Sequence, residues 1–420
     1  MFATLSAVFW GILTFSILVV LHEGGHFLTA RAFGVHVHEF MIGLPGPAIR
    51  FRGKKTTYGV TAIPLGGYVR ISGMEPGPED PLLGPALAYV TEQRSANPMS
   101  LSLALGVDAR EAESALLTLV DWNAIDASPD VEDEFLAKFP VSAAEDPIAL
   151  LDQVRSKTYR GLSTIKRIAV LSAGVIVNLL SAILVFVLVL TLYGVPTQTL
   201  TVETTLPAGA AAEAGIKPGD TVTKFGTTTL KDWPALLAAL AKSKPGDAVS
   251  VTVDRDGTSI TKTVTLGKNE SGGARLGIGV TQTRVRLSVA EALKDSIMWI
   301  GLVFKAIGGF FNPATFQTSV SQSSSVVGIS VEVSRAVKNG PIDYAFIVAL
   351  LSLSLGVMNI LPIPPLDGGK IALEIWEAII GRPLSRQFAI GLSATGTLLL
   401  LAFIGYLMYT DVMRYVVQGG

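Results

Sequence analysis

The sequence predicts a multi-pass α-helical membrane protein: four transmembrane helices, a membrane-associated β-hairpin region and an inserted α+β domain. Two observations carry this. The 420-residue chain is 49% hydrophobic with a mean hydropathy of +0.50, too apolar for an average soluble protein. Its apolar residues are also segregated into runs from Phe2 to Leu21, Ile168 to Tyr193, Tyr344 to Leu366 and Phe388 to Met408, each long enough to cross a hydrocarbon core.

Segment 1–34 carries the first span. It lacks a basic leader, exceeds a usual signal-peptide core and runs into charged residues instead of a small-residue cleavage site, so it reads as a retained helix. Segment 35–74 holds alternating pieces such as Val35-His36-Val37-His38 and Gly66-Gly67-Tyr68-Val69-Arg70-Ile71 and reads as β-hairpins. Segment 75–160 turns acidic and Pro/Ala-rich, as in Pro129-Asp130-Val131-Glu132-Asp133-Glu134; it reads as a cytoplasmic insertion, part helical and part mobile, without a chemical motif.

The second span occupies 161–194. Segment 195–284 alternates short strands with Gly and Pro turns and includes an Ala/Leu-rich helix, Trp233 to Lys242. In 285–340, Leu287, Ala290, Leu293, Ile297, Ile300, Phe304 and Ile307 recur at helical spacing opposite Glu291, Lys294 and Asp295, which predicts an amphipathic interfacial or domain-docking helix; Thr318 to Ser325 reads as a loop. The third and fourth spans occupy 341–370 and 385–416.

Orientation follows from basic residues near the spans. Arg31, Arg50, Arg52, Lys54 and Lys55 follow the first, Lys157, Arg160, Lys166 and Arg167 precede the second, and Lys370, Arg382 and Arg386 separate the third from the fourth. Those loops are expected in the cytoplasm and residues 195–284 outside. The chain has no cysteine, which excludes disulfides and thiolate metal ligands. A net charge of -1 without basic, aromatic-interleaved tracts gives no support for nucleic-acid binding.

The chemistry concentrates in His22-Glu23-Gly24-Gly25-His26, at the end of the first span. Histidines at i and i+4 share a helix face and can grip one Zn²⁺, while the glutamate between them can take a proton from water. Ionisable groups at bilayer depth are costly and usually functional. A catalytic zinc wants a third protein ligand, which here is His36, His38 or a carboxylate. The strongest carboxylate is Asp367, which ends the third span in Asn359-Ile360-Leu361-Pro362-Ile363-Pro364-Pro365-Leu366-Asp367-Gly368-Gly369. A helix cannot run through those prolines unbroken, and unwound backbone at membrane depth requires a protein-lined or wet cavity. His36 and His38 lie two apart on one strand face and read better as a solvated pair than as ligands.

These motifs resemble the site-2 protease family of intramembrane zinc metalloproteases: H-E-G-G-H in the first span and N-x-x-P-x-P-x-L-D-G-G in a later one. The Gly66-Gly67-Tyr68-Val69 strand and Asn178 within Ala173-Gly174-Val175-Ile176-Val177-Asn178 favour its bacterial RseP-like branch. Gly209 to Asp220, closing on Ile216-Lys217-Pro218-Gly219-Asp220 before the strand Thr221-Val222-Thr223-Lys224-Phe225, resembles the centre of a PDZ domain, so 195–284 is expected to be PDZ-like, with a sheet edge open to an extended peptide.

The resemblance implies a bacterial inner-membrane enzyme that binds Zn²⁺ through His22, His26 and Asp367, with Glu23 activating water. It implies single-pass membrane proteins as substrates, such as anti-sigma factors or remnant signal peptides, with Asn359, Gly66, Gly67 and Asn178 at substrate-binding positions. Asn178 and Asn359 can equally be read as interhelical hydrogen-bond glue. The chain departs from the family where its usual Gly-Pro is Gly174-Val175 and its usual G-P-V-G-I is Ser325-Val326-Val327-Gly328-Ile329, which puts the local loop geometry in question. The main rival is a non-catalytic PDZ-bearing scaffold or receptor with a structural metal. A transporter fits less well, because the halves show no inverted repeat.

Overall fold

The computed structural model describes residues 2–63, 66–207, 209–269 and 272–413; residues 414–416 of the expected fourth segment lie outside them. The chain divides into two units, Met1–Phe186 with Asp295–Gly420, and Val187–Lys294.

In the first unit, α1 (Phe2–Ala32) leads into β1 (Val37–Ile42), β2 (Ala48–Arg52), β3 (Thr57–Thr61) and β4 (Gly67–Ile71). The sheet order is β2-β3-β1-β4, with β1 parallel to β3 and antiparallel to β4. Only β2 and β3 form the kind of hairpin the alternation predicts; the parallel pairing arises because β1 accepts β3 on one side and β4 on the other. That leaves β4 as an edge strand, lying against α1.

Residues 83–155 correct the expectation of a partly mobile insertion. Helices α2 (Leu83–Gln93), α3 (Pro98–Leu105), α4 (Ala109–Asp121) and α5 (Pro147–Arg155), with short strands β5 (Ser95–Ala96), β6 (Ile125–Ala127) and β7 (Phe135–Ala137), share one apolar core in which Leu87, Leu101, Leu116, Leu119 and Ile125 are fully buried. The acidic composition misled because the charges sit opposite this stripe: α4 buries Ala112, Ala115, Leu116 and Leu119 and turns Glu111 and Glu113 outward. Its helices are also well capped. Asn97 and Ser100 form a reciprocal capping box ahead of Pro98, and Asp108 and Asp146 accept from the first turns of α4 and α5, arrangements that satisfy otherwise orphaned amides. Next comes α6 (Thr164–Leu192).

The second unit comprises β8 (Val195–Thr205), α7 (Ala210–Glu213), β9 (Thr221–Phe225), β10 (Thr228–Thr229), α8 (Trp233–Leu240), β11 (Ala248–Arg255), β12 (Thr258–Thr265), β13 (Gly267–Lys268), β14 (Ala274–Arg275) and β15 (Ile278–Val285). Its main sheet runs β12-β11-β9-β8-β15 over a core of Val222, Leu236, Val251, Val253 and Val264.

The chain then forms α9 (Val289–Gly308), α10 (Pro313–Gln322), α11 (Val326–Asn339), α12 (Pro341–Ile360), α13 (Asp367–Ile380) and α14 (Arg386–Val412). Much of Thr318 to Ser325 is therefore helical rather than loop, because Asn312 caps α10 through Ala314 N and Pro313 starts it. The third span ends at Ile360, where the proline run begins, and a separate helix starts at Asp367. Among the described residues four helices are long and apolar enough to cross a membrane: Leu5–Ala32, Thr164–Leu192, Pro341–Ile360 and Arg386–Val412. A bent pair, Val289–Phe311 and Pro313–Gln322, would add a fifth if it formed one broken span. Where α6, α9 and α12 pack together, Phe186 stacks on Trp299 and both meet Phe346 edge-on.

Candidate metal centre

Three elements meet at the motif. His22 and His26 project from one face of α1, and Asp367 opens α13; all three are buried. His22 Nε2 and His26 Nε2 lie 3.0 and 3.1 Å from Asp367 Oδ2 and 3.4 Å from each other. Ligand atoms of a tetrahedral zinc with bonds of about 2.0–2.1 Å stand about 3.3 Å apart, so this triangle is the right size for one face of such a site. Among the described residues this is the one group of three that could hold a metal ion. Three nitrogen and oxygen donors leave one tetrahedral position open, as a catalytic zinc requires.

The outer ring nitrogens also fit. His26 Nδ1 lies 2.8 Å from the Val170 carbonyl, which can only accept, so Nδ1 carries the proton and Nε2 presents its lone pair to the cluster. His22 Nδ1 lies 3.1 Å from Asn178 Nδ2, while the buried Asn178 Oδ1 has no hydrogen-bond partner. Turning that amide over puts Oδ1 on Nδ1–H, satisfies the orphaned oxygen and frees His22 Nε2 for metal. Both residues supporting the imidazoles lie on α6.

Glycines let the helices approach. A Cβ at Gly25 would come 2.5 Å from the Ala173 carbonyl, and one at Gly174 would come 2.5 Å from His26 Nε2 and 2.7 Å from His22 Cε1. Gly174 is thus a site residue that the family dipeptide alone does not reveal; it lies mid-helix in α6, not in a loop. On the other side of the triangle, a Cβ at Gly368 or Gly369 would strike the backbone of Ile360 or Pro364. The Leu-Asp-Gly-Gly sequence therefore lets the proline-broken chain fold back tightly enough to seat Asp367 at the helix start, where a carboxylate also complements the helix dipole.

Glu23 is half-buried one residue after His22. The backbone of β4 lies beside it: a Cβ at Gly67 would meet Val19 Cγ1 at 2.6 Å and Glu23 Cγ at 3.6 Å, and Gly66 has φ +101°, a conformation open mainly to glycine. Asn359, in the last turn of α12, is buried and donates to the Leu355 carbonyl of its own helix at 3.0 Å. Asn178 is fully enclosed and contacts His22.

His36 and His38 stand apart from this cluster and are not on an open, solvated face. Their rings meet edge-on at 4.7 Å, and His38 Nε2 lies 2.6 Å from the Asp121 carbonyl of the folded insertion. Burial, then the neighbouring His38, Lys138, Arg31 and Lys55, push His36 down to about 4.

Residues 10–403 match the model of peptidase family M50. The chain is 26% identical to the zinc metalloprotease RasP of Geobacillus kaustophilus over 99% of its own length and 100% of that protein. It is 29% identical to the probable protease eep of Enterococcus faecalis, covering 96% and 98%, and 27% identical to the metalloprotease MmpA of Caulobacter vibrioides, covering 95% and 94%. With that match spanning nearly the whole chain and a nitrogen–oxygen triangle of zinc dimensions inside it, this protein belongs to peptidase family M50, as a zinc metalloprotease of the site-2 protease type.

Proposed function

We propose that the protein hydrolyses peptide bonds within the transmembrane segments of single-pass membrane proteins, in the manner of regulated intramembrane proteolysis. The observation that carries this reading is the convergence of His22 and His26, from a span-length apolar helix, with Asp367, at the helix start just after the proline break; it supports hydrolytic chemistry at membrane depth. In this reading His22, His26 and Asp367 hold zinc. Bound there, zinc supplies a Lewis acid that acidifies water and polarises the scissile carbonyl. Glu23 accepts the proton of the attacking water and passes it to the leaving amine. Asn178 and the Val170 carbonyl keep the imidazoles in the ligand tautomer.

A helical substrate must unwind before its peptide bond can be attacked, and β4 offers a template for the extended form. Among the described residues no strand pairs with its outer edge, and Gly66-Gly67 bring no side chain of their own beside Glu23, which suits strand addition. Asn359, one helix turn from the proline break, is assigned to hold the substrate backbone. Residues 195–284 are read as a PDZ-like domain on the extracytoplasmic side that takes or screens substrate peptides at a sheet edge, with the metal centre toward the cytoplasmic face of a bacterial inner membrane. Anti-sigma factors and remnant signal peptides are the expected substrate classes.

The test is Glu23→Gln in cells co-expressing a tagged single-pass substrate. Retained zinc with abolished cleavage supports the assignment. Cleavage at the wild-type rate removes Glu23 from the chemistry.

A further inference from the structure

A cavity of about 560 Å³ opens where α1 ends, between the turn joining β2 to β3 and the folded insertion. The chain as a whole is almost neutral, with 33 basic and 34 acidic residues. This lining is not: Arg31, Lys54, Lys55 and Lys157 face it together with His36, and among the described residues no Asp or Glu does. Cations gathered without carboxylates repel one another unless an anion joins them.

The cationic side is held in place. Arg31 donates to Thr56 Oγ1 at 3.1 Å and stacks its guanidinium over Phe27, 5.6 Å from the ring centre. Thr56 in turn donates to the Val37 carbonyl at 2.8 Å, and Gly53 N to the Thr56 carbonyl at 3.0 Å, which fixes the turn bearing Lys54 and Lys55. His36 N donates to the Lys157 carbonyl at 3.0 Å. Burial is the main cause of the depressed His36, and after it His38 and then Lys138, Arg31 and Lys55 also oppose its protonation.

The hairpin below the turn says what kind of medium surrounds it. Ile49 pairs with Val60 and Phe51 with Tyr58 across β2 and β3, on one face, and these side chains are 70, 42, 66 and 40% exposed. An apolar face of that kind is covered by lipid or partner, and its Tyr58 ring lies 6.1 Å from that of Phe27 on α1. With α1 read as a span, the lysine turn would lie at headgroup level, where basic side chains meet lipid phosphates.

We propose that this cavity binds a phosphate group, presented by an anionic phospholipid headgroup or by a soluble phosphate ester. Recognition is by charge: Lys54, Lys55 and Lys157 as point charges and Arg31 as a bidentate fork. Binding ties the insertion, which supplies Lys157 and the wall at Trp122 and Phe139, to the end of the helix that carries His22 and His26.

The test uses the full chain in nanodiscs of phosphatidylcholine alone or mixed with phosphatidylglycerol, with retained lipid counted by native mass spectrometry. The wild type should retain phosphatidylglycerol preferentially. The triple variant Lys54→Ala, Lys55→Ala, Lys157→Ala should lose that preference, by roughly fivefold per lysine removed, the factor matching about 1 kcal/mol per basic residue at an anionic surface. The corresponding triple Lys→Arg variant should keep it. Glycerol 3-phosphate titrated against the wild type separates the sources: saturable displacement identifies a soluble ester as ligand, and no displacement identifies the lipid. Equal phosphatidylglycerol retention and equal glycerol 3-phosphate affinity in wild type and triple alanine variant, or an equal loss in the control Lys242→Ala, Lys244→Ala in the other unit, would overturn the inference.

Discussion

Asn178 Nδ2 lies 3.1 Å from His22 Nδ1, with both side chains buried and the amide oxygen left without a partner. A zinc-binding His22 needs a proton on Nδ1 and therefore an acceptor facing it. Asn178→Ala should lower zinc affinity about 10–100-fold, read by metal content against a graded chelator, while Asn178→Asp, which keeps an acceptor, should retain most of it. Lower thermal stability with unchanged zinc affinity would instead make Asn178 simple helix-to-helix glue.

The two glycines within the motif should behave differently. Gly24 has nothing within 4 Å of an added Cβ, whereas a Cβ at Gly25 meets the Ala173 carbonyl at 2.5 Å. Gly24→Ala should leave cleavage near wild type. Gly25→Ala and Gly174→Ala force α1 and α6 apart at the ligands, an overpacking of about 1–3 kcal/mol, and should reduce cleavage by more than about tenfold. Equal tolerance of all three substitutions in a substrate-cleavage assay would show that the helices are not packed this closely at the site.

The long apolar runs, the i, i+4 histidines and the proline break were legible because each is a local pattern with one physical meaning. Gly174 was not, because its role depends on rings from another helix reaching across to it, and no local pattern encodes that. The fold of residues 83–155 hid behind its charge: the apolar stripe of α4 was present in the sequence, but net acidity dominated the reading. The parallel pairing of β1 with β3 could not be read at all, since alternation gives a strand its faces and not its neighbours.

Glu374 ties α13 to the start of α6. Tyr159 Oη donates to its Oε1 at 3.0 Å, and Arg167 Nε lies 3.3 Å from Oε2. Because Asp367 sits two turns earlier on the same helix, loosening this anchor should reach the metal. Tyr159→Phe removes one hydrogen bond to a charged group, worth about 1.5–3 kcal/mol. Zinc loss to chelator should quicken while Glu23-dependent cleavage by the loaded enzyme is unchanged. Unaltered zinc retention would show that the proline break alone fixes Asp367.

Within residues 187–294 the buried Asp220 carboxylate meets Arg255 through Nε at 2.6 Å and Nη2 at 2.8 Å. Those hydrogen bonds hold its carboxyl below the usual carboxylate range. A carboxyl depressed on folding stabilises the fold above its unfolded pKa of about 4, and the contribution fades as pH falls through the folded value. Asp220→Asn should therefore speed amide exchange of β9 and β11 most near pH 7, and the gap from wild type should close as acid protonates the carboxyl. A gap that does not change with pH would assign the effect to shape rather than charge.

Asp411, near the end of α14, accepts from Ser325 N at 2.6 Å and Gly328 N at 3.2 Å. A carboxylate thus caps α11, just where the chain carries Ser325-Val326-Val327-Gly328 in place of the family's usual sequence, and a Cβ at Gly328 would come 2.6 Å from Asp411 Oδ2. Asp411→Asn keeps the volume and removes the charge that complements the helix start, at a cost of about 1–2 kcal/mol. Because α11 packs along α1 at Gly11 and Ser330, amide exchange should quicken in the first turn of α11 and in the N-terminal half of α1. Zinc content should hold, since His22 and His26 lie in the other half of α1, braced by α6 and β4. Loss of zinc in Asp411→Asn would mean that α1 moves as one rigid rod, and that this cap is part of what positions the metal ligands.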